Sequence, residues 1–297
     1  MAITIQTAIA HACEILEQSP LAKDFERLEQ NIESKHLMAF RPRFECEILL
    51  CEILQKPRTF LHAHSNDFLA TNQENTFFSQ VKERALGTPI EYLTQKASFY
   101  SCEFFIQKGV LIPRPESEIL VQKALQIIKE RKISVMAEIG VGSGAISTII
   151  AKNNPHLRMY ASDIDSLALE CARKNFTRFK CESISTLQGS LLDPFSTQML
   201  DFLELVVANL PYIANDYPLP LPLCYEPKEA LFGGERGSEI IESLIAACAK
   251  ARPLIMCCEM GYDQKARLSE FIVPLSPKKL EFYTDLSGFD RGFVLEF

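Results

Sequence analysis

A glycine-rich loop, Glu138-Ile139-Gly140-Val141-Gly142-Ser143-Gly144-Ala145, follows an apolar strand-like run and precedes a helix-like stretch. Glycines in such a loop permit a tight turn and let the backbone approach a ligand closely. Starting at Gly140, the loop also reads G-x-G-x-x-A, and Asp163 stands 19 residues after Gly144. A dinucleotide-binding loop is therefore one valid interpretation, and the loop alone does not decide between nucleotide-type ligands.

From about residue 113 onward, strand-like and helix-like stretches alternate. The strand-like runs are Val135–Ile139, Arg158–Ser162, Ser183–Leu187, Leu203–Ala208 and Leu254–Glu259, and the clearest helix-like stretches are Ser166–Asn175 and Arg236–Ala251. This alternation predicts an α/β fold with a parallel sheet covered on both faces. The last two runs, Leu280–Thr284 and Gly292–Phe297, flank a turn-like segment and predict an antiparallel final strand pair.

The chain before residue 113 has a different pattern. In residues 1–85, apolar residues such as Ile9, Cys13 and Leu16 recur at helical spacing, which predicts a small all-α N-terminal domain that serves for docking. Residues 86–112 read as a β-hairpin linker, because Phe99–Ile106 is rich in aromatic residues and Lys108-Gly109 marks a turn. Residues 113–297 then form the α/β domain.

Composition limits the classes of function. The 297 residues are 47% hydrophobic and 23% charged, and the net charge of −7 comes with no basic cluster to match a phosphate backbone, which disfavours direct nucleic-acid binding. The ten cysteines show no metal-ligand spacing, so we interpret them as reduced core thiols and expect no metal. The start of the chain does not resemble a signal peptide, and no apolar run is long enough to span a membrane. We therefore expect a cytoplasmic protein without membrane attachment, and separately we expect a monomer.

The tetrapeptide Asn209-Leu210-Pro211-Tyr212 ends the apolar run Leu205–Ala208. The Asn209 side-chain oxygen and the Leu210 carbonyl can each accept a hydrogen bond from a planar –NH2 group, and the Tyr212 ring can stack on its plane. Methylation of an amide or exocyclic amine needs such a grip, because that nitrogen is a poor nucleophile and must be held in line with a methyl donor. An ordinary strand-to-loop turn is the other interpretation.

Three features favour S-adenosylmethionine over a dinucleotide. Glu138 precedes the first glycine by two residues, where a carboxylate suits a ligand ammonium but disfavours a pyrophosphate. The fourth strand ends in the tetrapeptide, and the last two strands look antiparallel, which fits a Rossmann-like methyltransferase better than a dehydrogenase. Asp163 would then bind both ribose hydroxyls of the adenosine, unless it only caps the helix before Ser166.

Together these motifs resemble the release-factor glutamine methyltransferases, called HemK or PrmC, over nearly the whole chain. The matching segments are Gly87–Tyr92, Leu111–Glu118 (L-I-P-R-P-x-T/S-E), Glu138–Ala145, Asn209–Tyr212 with Glu226-Pro227 (N-P-P-Y and E-P), and Glu259–Gln264 (E-x-G-x-x-Q). Leu210 replaces the first proline of N-P-P-Y but keeps the backbone carbonyl. Ser190 stands where the family commonly has Asp near the adenine, and a hydroxyl accepts a hydrogen bond less strongly than a carboxylate.

The resemblance implies a Rossmann-like class I methyltransferase sheet with an antiparallel last strand pair, a helical N-terminal domain and a β-hairpin linker. It implies methyl transfer from S-adenosyl-L-methionine to the side-chain amide nitrogen, N5, of the Gln in the Gly-Gly-Gln loop of class-one peptide chain release factors. Asn209, Leu210, Pro211 and Tyr212 would be the catalytic and substrate-binding residues. The cofactor-binding residues would be Glu138, Gly140, Val141, Gly142, Ser143, Gly144, Asp163, Ser190, Leu191 and Asn209.

Other functions stay open from the residues. Arg114 and Glu116 either order the substrate loop or form an exposed ion pair at a helix start. A related enzyme could methylate a Gln of a ribosomal protein, or an exocyclic amine of a nucleic acid. From a different class, the chain could be a dinucleotide-dependent oxidoreductase or a non-catalytic nucleotide-binding module.

Overall fold

A computed structural model of the protein describes residues 2–29, 40–251 and 255–297. Its helices are α1 (Ile5–Glu17), α2 (Pro20–Glu29), α3 (Pro42–Leu54), α4 (Arg58–Ala63), α5 (Thr71–Ala85), α6 (Ile90–Thr94), α7 (Glu118–Arg131), α8 (Ala145–Asn153), α9 (Ser166–Arg178), α10 (Thr197–Asp201), α11 (Glu239–Ala251) and α12 (Lys265–Ile272). Its strands are β1 (Lys96–Phe99), β2 (Cys102–Phe105), β3 (Val135–Ile139), β4 (Arg158–Asp163), β5 (Ser185–Gln188), β6 (Leu205–Ala208), β7 (Ile213–Ala214), β8 (Phe232–Gly234), β9 (Ile255–Glu259), β10 (Lys279–Thr284) and β11 (Asp290–Glu296). Within these ranges, no helix combines the length and the hydropathy needed to cross a bilayer.

The chain divides into two compact units. The first, here called the helical unit, comprises Met1–Gln95 and Pro218–Tyr225, and the second, the sheet unit, comprises Lys96–Tyr217 and Glu226–Phe297. The boundaries predicted from the sequence were 1–85, 86–112 and 113–297, so the observed division differs in two ways. The helical unit extends to Gln95, and it includes an eight-residue segment from far along the chain.

The helical unit is built from amphipathic helices that share one apolar core. The helices predicted for residues 1–85 are confirmed where the structure describes them, and α2 and α3 begin at Pro20 and Pro42, where proline supplies the φ angle of a first helical turn. Leu16, Leu49 and Phe77 are fully buried in the core between α1, α3 and α5. The helical prediction also covered residues 30–39, which lie outside the described residues.

A buried ion pair joins α5 to α3. The Arg84 guanidinium donates from Nε to Glu45 Oε2 at 2.6 Å and from Nη2 to Glu45 Oε1 at 3.0 Å. Its Nη1 donates to the Thr88 carbonyl at 3.1 Å, beyond the end of α5. The side chains of Arg84 and Glu45 are only 4% and 11% exposed, so water could not solvate either charge if the other were removed.

The late segment Pro218–Tyr225 is anchored by hydrogen bonds within the helical unit. The Leu221 backbone N–H donates to Asp24 Oδ2 at 2.6 Å, and the Tyr225 hydroxyl donates to the Leu86 carbonyl at 3.0 Å. Its later part, Leu221–Tyr225, is a short 3-10 helix. The boundaries predicted from the sequence placed this segment in the domain of residues 113–297, so its position in the helical unit was not predicted.

The hairpin before the main sheet is shorter than predicted. Residues 86–112 were interpreted as a β-hairpin linker, but Ile90–Thr94 is helical, and the hairpin itself consists of β1 and β2, which pair with each other. Tyr100 and Ser101 form the hairpin turn with φ angles of 51° and 58°. Such turns usually carry Asn or Gly, so the run Phe99–Ile106 gave no signal that it folds back on itself. The turn predicted at Lys108-Gly109 is present but lies after the hairpin.

The sheet unit confirms the predicted α/β topology. Its seven strands run in the order β10-β11-β9-β6-β3-β4-β5. The five strands from β9 to β5 are parallel, whereas β11 pairs antiparallel with β9, and β10 pairs antiparallel with β11. The predicted strand Val135–Ile139 matches β3. The strand predicted from Leu254 is β9, although Leu254 itself lies outside the described residues.

Helices cover both faces of the sheet, as predicted. Successive side chains of β3 alternate between two cores, with Met136 on one face and Ala137 on the other. The first core takes Leu120 of α7, Ile149 of α8 and Leu169 of α9, and the second takes Ile245 of α11 and Leu268 of α12. Because β3 is buried on both faces, its sequence is a nearly continuous apolar run.

We expect Glu45→Gln to destabilise the helical unit by about 3 to 5 kcal/mol, because it leaves the Arg84 charge buried without its counter-charge. Arg27→Ala is a control in the same unit. Arg27 forms an ion pair with Asp24 but is 62% exposed, and its loss should cost less than about 1 kcal/mol. Urea unfolding followed by circular dichroism measures both values. A cost for Glu45→Gln as small as that of the control would contradict this account.

Candidate functional site

The site lies at the carboxyl edge of the parallel strands. β3 is hydrogen-bonded to β4 on one side and to β6 on the other, so the crossover direction of the chain reverses at β3. In open α/β sheets, ligands bind in the crevice at such a switch point. Parallel strands end at one edge, and the loops that follow β3, β4, β6 and β9 are therefore brought together.

The glycine loop between β3 and α8 needs its glycines for conformation and for space. Gly140, Gly142 and Gly144 have φ angles of 76°, 52° and 78°, in the left-handed region. A Cβ on Gly140 would lie 3.0 Å from Leu210 Cδ2, and one on Gly144 would lie 2.8 Å from a Phe176 ring carbon. At Gly142 a Cβ would meet nothing within 4 Å, so this glycine is required by its backbone angle alone.

Asp163 at the end of β4 holds the glycine loop. Its Oδ2 accepts from the Gly142 N–H at 2.9 Å, and its Oδ1 accepts from the Asp165 N–H at 3.0 Å. Burial raises the pKa of the Asp163 carboxyl, and these backbone hydrogen bonds oppose the rise. The alternative that Asp163 caps the following helix is wrong, because Asp165 is the N-cap of α9 and accepts from the Leu167 N–H at 2.8 Å.

Glu138 is almost wholly buried beneath the same loop. Its Oε2 accepts from the Ser147 backbone N–H at 2.8 Å and from the Ser147 hydroxyl, in the first turn of α8. Burial raises the pKa of the Glu138 carboxyl to about 8, although both Ser147 bonds lower it. The side chain thus fixes the start of α8 against the end of β3.

Ser190 and Leu191 follow β5 on the far side of Asp163. The preceding Gly189 N–H donates to the Asp163 carbonyl at 3.0 Å, which ties this segment to the end of β4. Ser190 is exposed, and its carbonyl accepts from the Asp193 N–H at 2.9 Å in a turn. Leu191 adopts a φ of 47° in that turn.

The tetrapeptide after β6 is held by side chains from two other segments. The Asn209 amide Nδ2 donates to Ser117 Oγ at 2.8 Å, and the Tyr212 hydroxyl donates to Glu259 Oε1 at 3.1 Å. Gln264 Nε2 donates to the Tyr212 carbonyl at 2.9 Å. Leu210 is buried against Gly140, so the tetrapeptide and the glycine loop are in contact.

Glu259 at the end of β9 is the centre of this cluster. The carboxylate is 1% exposed and also accepts from the Ser117 hydroxyl at 2.6 Å. Burial raises the pKa of the Glu259 carboxyl, while the hydrogen bonds from Ser117 and Tyr212 and the charge of Arg291 lower it. Burial also raises the pKa of the Tyr212 hydroxyl, and the Glu259 charge adds to this effect. The hydroxyl therefore stays protonated and donates.

A second buried carboxylate orders the segment before α7. Glu226 accepts from the Ile112 N–H at 3.0 Å and from the Arg114 guanidinium, and its side chain is 1% exposed. Arg114 therefore forms an ion pair with a buried carboxylate of a distant segment. Glu116 is partly buried in the same segment.

Sequence reasoning placed the glycine loop, Asp163 and Asn209–Tyr212 at one edge, and the structure brings them together. From the sequence alone, no individual role was predicted for Ser117, Glu226, Glu259 or Gln264. These four residues stand inside the motifs that carried the resemblance, which was the available signal. The contacts of these residues join segments far apart in the chain, so periodicity and spacing could not indicate them.

The fold and this edge define a methyltransferase of the α/β class. Residues 116–217 match the profile of the methyltransferase small domain, and residues 26–94 match that of the PrmC N-terminal domain. Two solved structures of human METTL16 share the fold. The N-terminal domain in complex with SAH has a TM-score of 0.51 at 14% identity, over 84% of this chain and 94% of that one. The catalytic domain in complex with the MAT2A 3′UTR hairpin 1 has a TM-score of 0.53 at 13% identity, over 84% and 91%.

Curated relatives give the family. The chain is 37% identical to the release factor glutamine methyltransferase of Dictyoglomus turgidum over 209 residues, which are 69% of this chain and 73% of the relative. It is 33% identical to that of Bacillus anthracis over 262 residues, 84% of this chain and 91% of the relative. The chain belongs to the release factor glutamine methyltransferase family.

The raised pKa of Glu138 predicts how its replacement changes the dependence of stability on pH. A carboxyl that binds its proton more tightly in the folded state stabilises the fold at low pH, and this contribution is lost as the pH rises from about 4.5 to about 8. Glu138→Gln cannot ionise, so relative to wild type it should gain on the order of a few kcal/mol in unfolding free energy across that window. Urea unfolding at several pH values measures the difference.

The exposed residue Glu182 supplies the control for this measurement. Glu182→Gln should leave the pH profile of stability parallel to that of wild type. If the Glu138→Gln profile is also parallel, the carboxyl does not titrate in this window, and the burial argument fails.

Proposed function

We propose that the protein transfers a methyl group from S-adenosyl-L-methionine to the side-chain amide nitrogen, N5, of the Gln in the Gly-Gly-Gln loop of class-one peptide chain release factors. The family membership supports a release factor as substrate. The observation that carries the finer proposal is the hydrogen bond from Asn209 Nδ2 to Ser117 Oγ. With its nitrogen engaged, the Asn209 amide presents its oxygen as an acceptor for the substrate –NH2 group.

A substrate amide needs two acceptors in a fixed relation. We assign the Asn209 Oδ1 atom and the Leu210 backbone carbonyl to this role, with one substrate N–H hydrogen bound to each. The main chain of this turn is held at Tyr212 by Gln264, whose Oε1 in turn accepts from the Gly261 N–H at 3.0 Å. Tyr212 and Pro211 form the wall against which the amide plane packs. Such fixed acceptors favour the partly positive nitrogen that develops as the methyl group arrives.

The residues beside this turn suit the cofactor. Each oxygen of Asp163 accepts one backbone N–H, which leaves lone pairs for a ribose diol. Gly140, Val141, Gly142, Ser143 and Gly144 bring bare backbone to the crevice, and Ser190 with Leu191 would border the adenine. Glu138 holds the end of the loop in place by accepting a hydrogen bond from the Ser147 N–H in the first turn of α8. When bound, S-adenosyl-L-methionine supplies a methyl group on a positively charged sulfur.

The transfer itself needs no strong base in the protein. A neutral amide nitrogen becomes acidic only after it has gained the methyl group, so its proton can leave to water. The side chains near the turn agree with this, because the Tyr212 hydroxyl is protonated and its hydrogen is donated to Glu259. The protein's contribution is therefore alignment, and alignment can supply a large part of the rate acceleration.

The helical unit fits a role in docking the protein substrate. A Gln side chain enters a narrow site only if its neighbours are small, and a Gly-Gly-Gln loop meets that need. Such a loop offers few further contacts, so a second surface on the enzyme must recognise the rest of the release factor. We assign that surface to the helical unit.

Methyl incorporation from labelled S-adenosyl-L-methionine tests the proposed function. We expect label in intact release factor, none in its Gln→Ala variant, and none in deproteinised ribosomal RNA. Fragment mass spectrometry of the product should place the added methyl on the Gln side chain. A short Gly-Gly-Gln peptide should be labelled much more slowly than the intact factor. Label on the RNA, or undiminished label on the Gln→Ala variant, would falsify the assignment.

Substitutions in the acceptor pair separate side-chain and backbone roles. Asn209→Ala removes one of the two acceptors and should lower kcat by about 100-fold or more, with little change in the affinity for S-adenosylhomocysteine. Leu210→Pro keeps the carbonyl and should retain most of the activity. Steady-state kinetics with release factor and calorimetric titration measure the two effects. Severe and equal losses of kcat for both variants would mean that the backbone carbonyl has been misassigned.

A further inference from the structure

The two ends of the Asn209 amide have opposite hydrogen-bonding character. Its oxygen accepts and its nitrogen donates, and a half-turn about the terminal side-chain bond exchanges them with almost no change in shape. Only one orientation can bind a substrate –NH2 group, because in the other a donor faces a donor. Something in the protein must therefore select the orientation.

The Ser117 hydroxyl forms a hydrogen bond with the nitrogen end of this amide. A serine hydroxyl has one hydrogen and two lone pairs. The Ser117 hydrogen is donated to Glu259 Oε2 at 2.6 Å, so Ser117 Oγ can only accept from Asn209. Ser117 is 2% exposed, so solvent does not offer its oxygen an alternative. The nitrogen end of Asn209 must then face Ser117.

Glu259 fixes the direction of the whole chain of hydrogen bonds. Glu259 receives the Ser117 hydrogen on one oxygen and the Tyr212 hydroxyl hydrogen on the other, so both of its oxygens act as acceptors. Both hydroxyls are therefore oriented toward it. The sequence of donors runs from Asn209 through Ser117 to Glu259, and reversing any bond would leave a buried acceptor facing an acceptor.

We propose that Ser117 and Glu259 are positioning residues that select the orientation of the Asn209 amide, so that its oxygen faces the substrate. This inference rests on the proposed role of Asn209 as an acceptor. Neither residue touches the reacting atoms in this account. Ser117 acts through Asn209, and Glu259 acts through Ser117.

The kinetic test uses Ser117→Ala, Ser117→Thr and Glu259→Gln in the full-length chain, with release factor as substrate. Ser117→Ala should lower kcat by roughly 10- to 100-fold through misalignment, while the KM for release factor and the dissociation constant for S-adenosylhomocysteine change less than about twofold. Ser117→Thr keeps a hydroxyl and should restore most of kcat. Ser243→Ala, at an exposed serine on α11, is the matched control and should behave as wild type.

Glu259→Gln tests the direction of the hydrogen bonds. Its amide nitrogen can donate to Ser117 Oγ, which frees the Ser117 hydrogen for the oxygen of Asn209 and turns the Asn209 nitrogen toward the substrate. We expect a loss of kcat similar to that of Ser117→Ala. The double variant should lose much less than the product of the two single losses, because both act through one amide. Independent, multiplying losses would overturn the proposed sequence of contacts.

A spectroscopic readout separates this inference from the proposed function. In protein labelled with nitrogen-15 at Asn side chains, the Asn209 signal is identified by its loss in Asn209→Ala. Its NH2 hydrogens should exchange slowly with water in wild type and in Ser117→Thr, and faster in Ser117→Ala. If wild type does not methylate release factor, the proposed function fails, but this comparison still decides the inference. Unchanged exchange in Ser117→Ala, or unchanged kcat in an active enzyme, would overturn it.

Discussion

Hydrogen bonding on both edges of β3 is the constraint on which the arrangement of the site depends. The register places Ile139 beside Ser162 of β4 and beside Ala208 of β6. A shift by one residue would move Met136 and Ala137 into each other's core, where side chains of the wrong size would meet the covering helices, so packing on both sides specifies this register. The loops that follow β3, β4 and β6 therefore begin side by side at the same edge of the sheet. This alone brings the glycine loop next to both Asp163 and the tetrapeptide.

Buried carboxylates connect this frame to segments that are remote in sequence. Glu138, Glu226 and Glu259 are each almost wholly buried, and a buried carboxyl group is tolerated only when hydrogen-bond partners surround it. The donors come from the first turn of α8, from the segment before α7, and from the tetrapeptide. Because each carboxyl group would be costly to bury without these hydrogen bonds, the two segments that it joins must stay at a fixed distance from each other.

The sequence predicted the parts of the structure that depend on local pattern. β3 was predicted because a strand buried on both faces has a continuous apolar sequence. The antiparallel final pair was predicted because residues typical of turns separate two strand-like runs. The turn at Tyr100 and Ser101 was missed because neither residue signals a positive φ. At the site, the edge was predictable from strand polarity, and so was the meeting of Asp163 with the glycine loop. The contacts of Ser117 and Arg114 were not, because they form between distant segments and depend on the finished packing.

The placement of Pro218–Tyr225 in the helical unit has a consequence for synthesis of the chain. When residues up to Gln95 have emerged from the ribosome, the unit still lacks the segment that supplies a donor to Asp24 and a donor to the Leu86 carbonyl. Those partners become available only after residue 225, when three quarters of the chain has been made. The helical unit therefore cannot reach its final packing until the chain has been made to residue 225, well after residues up to Gln95 have emerged. Exchange of this unit between relatives by recombination has to carry both pieces together, since a single crossover near residue 95 would separate them.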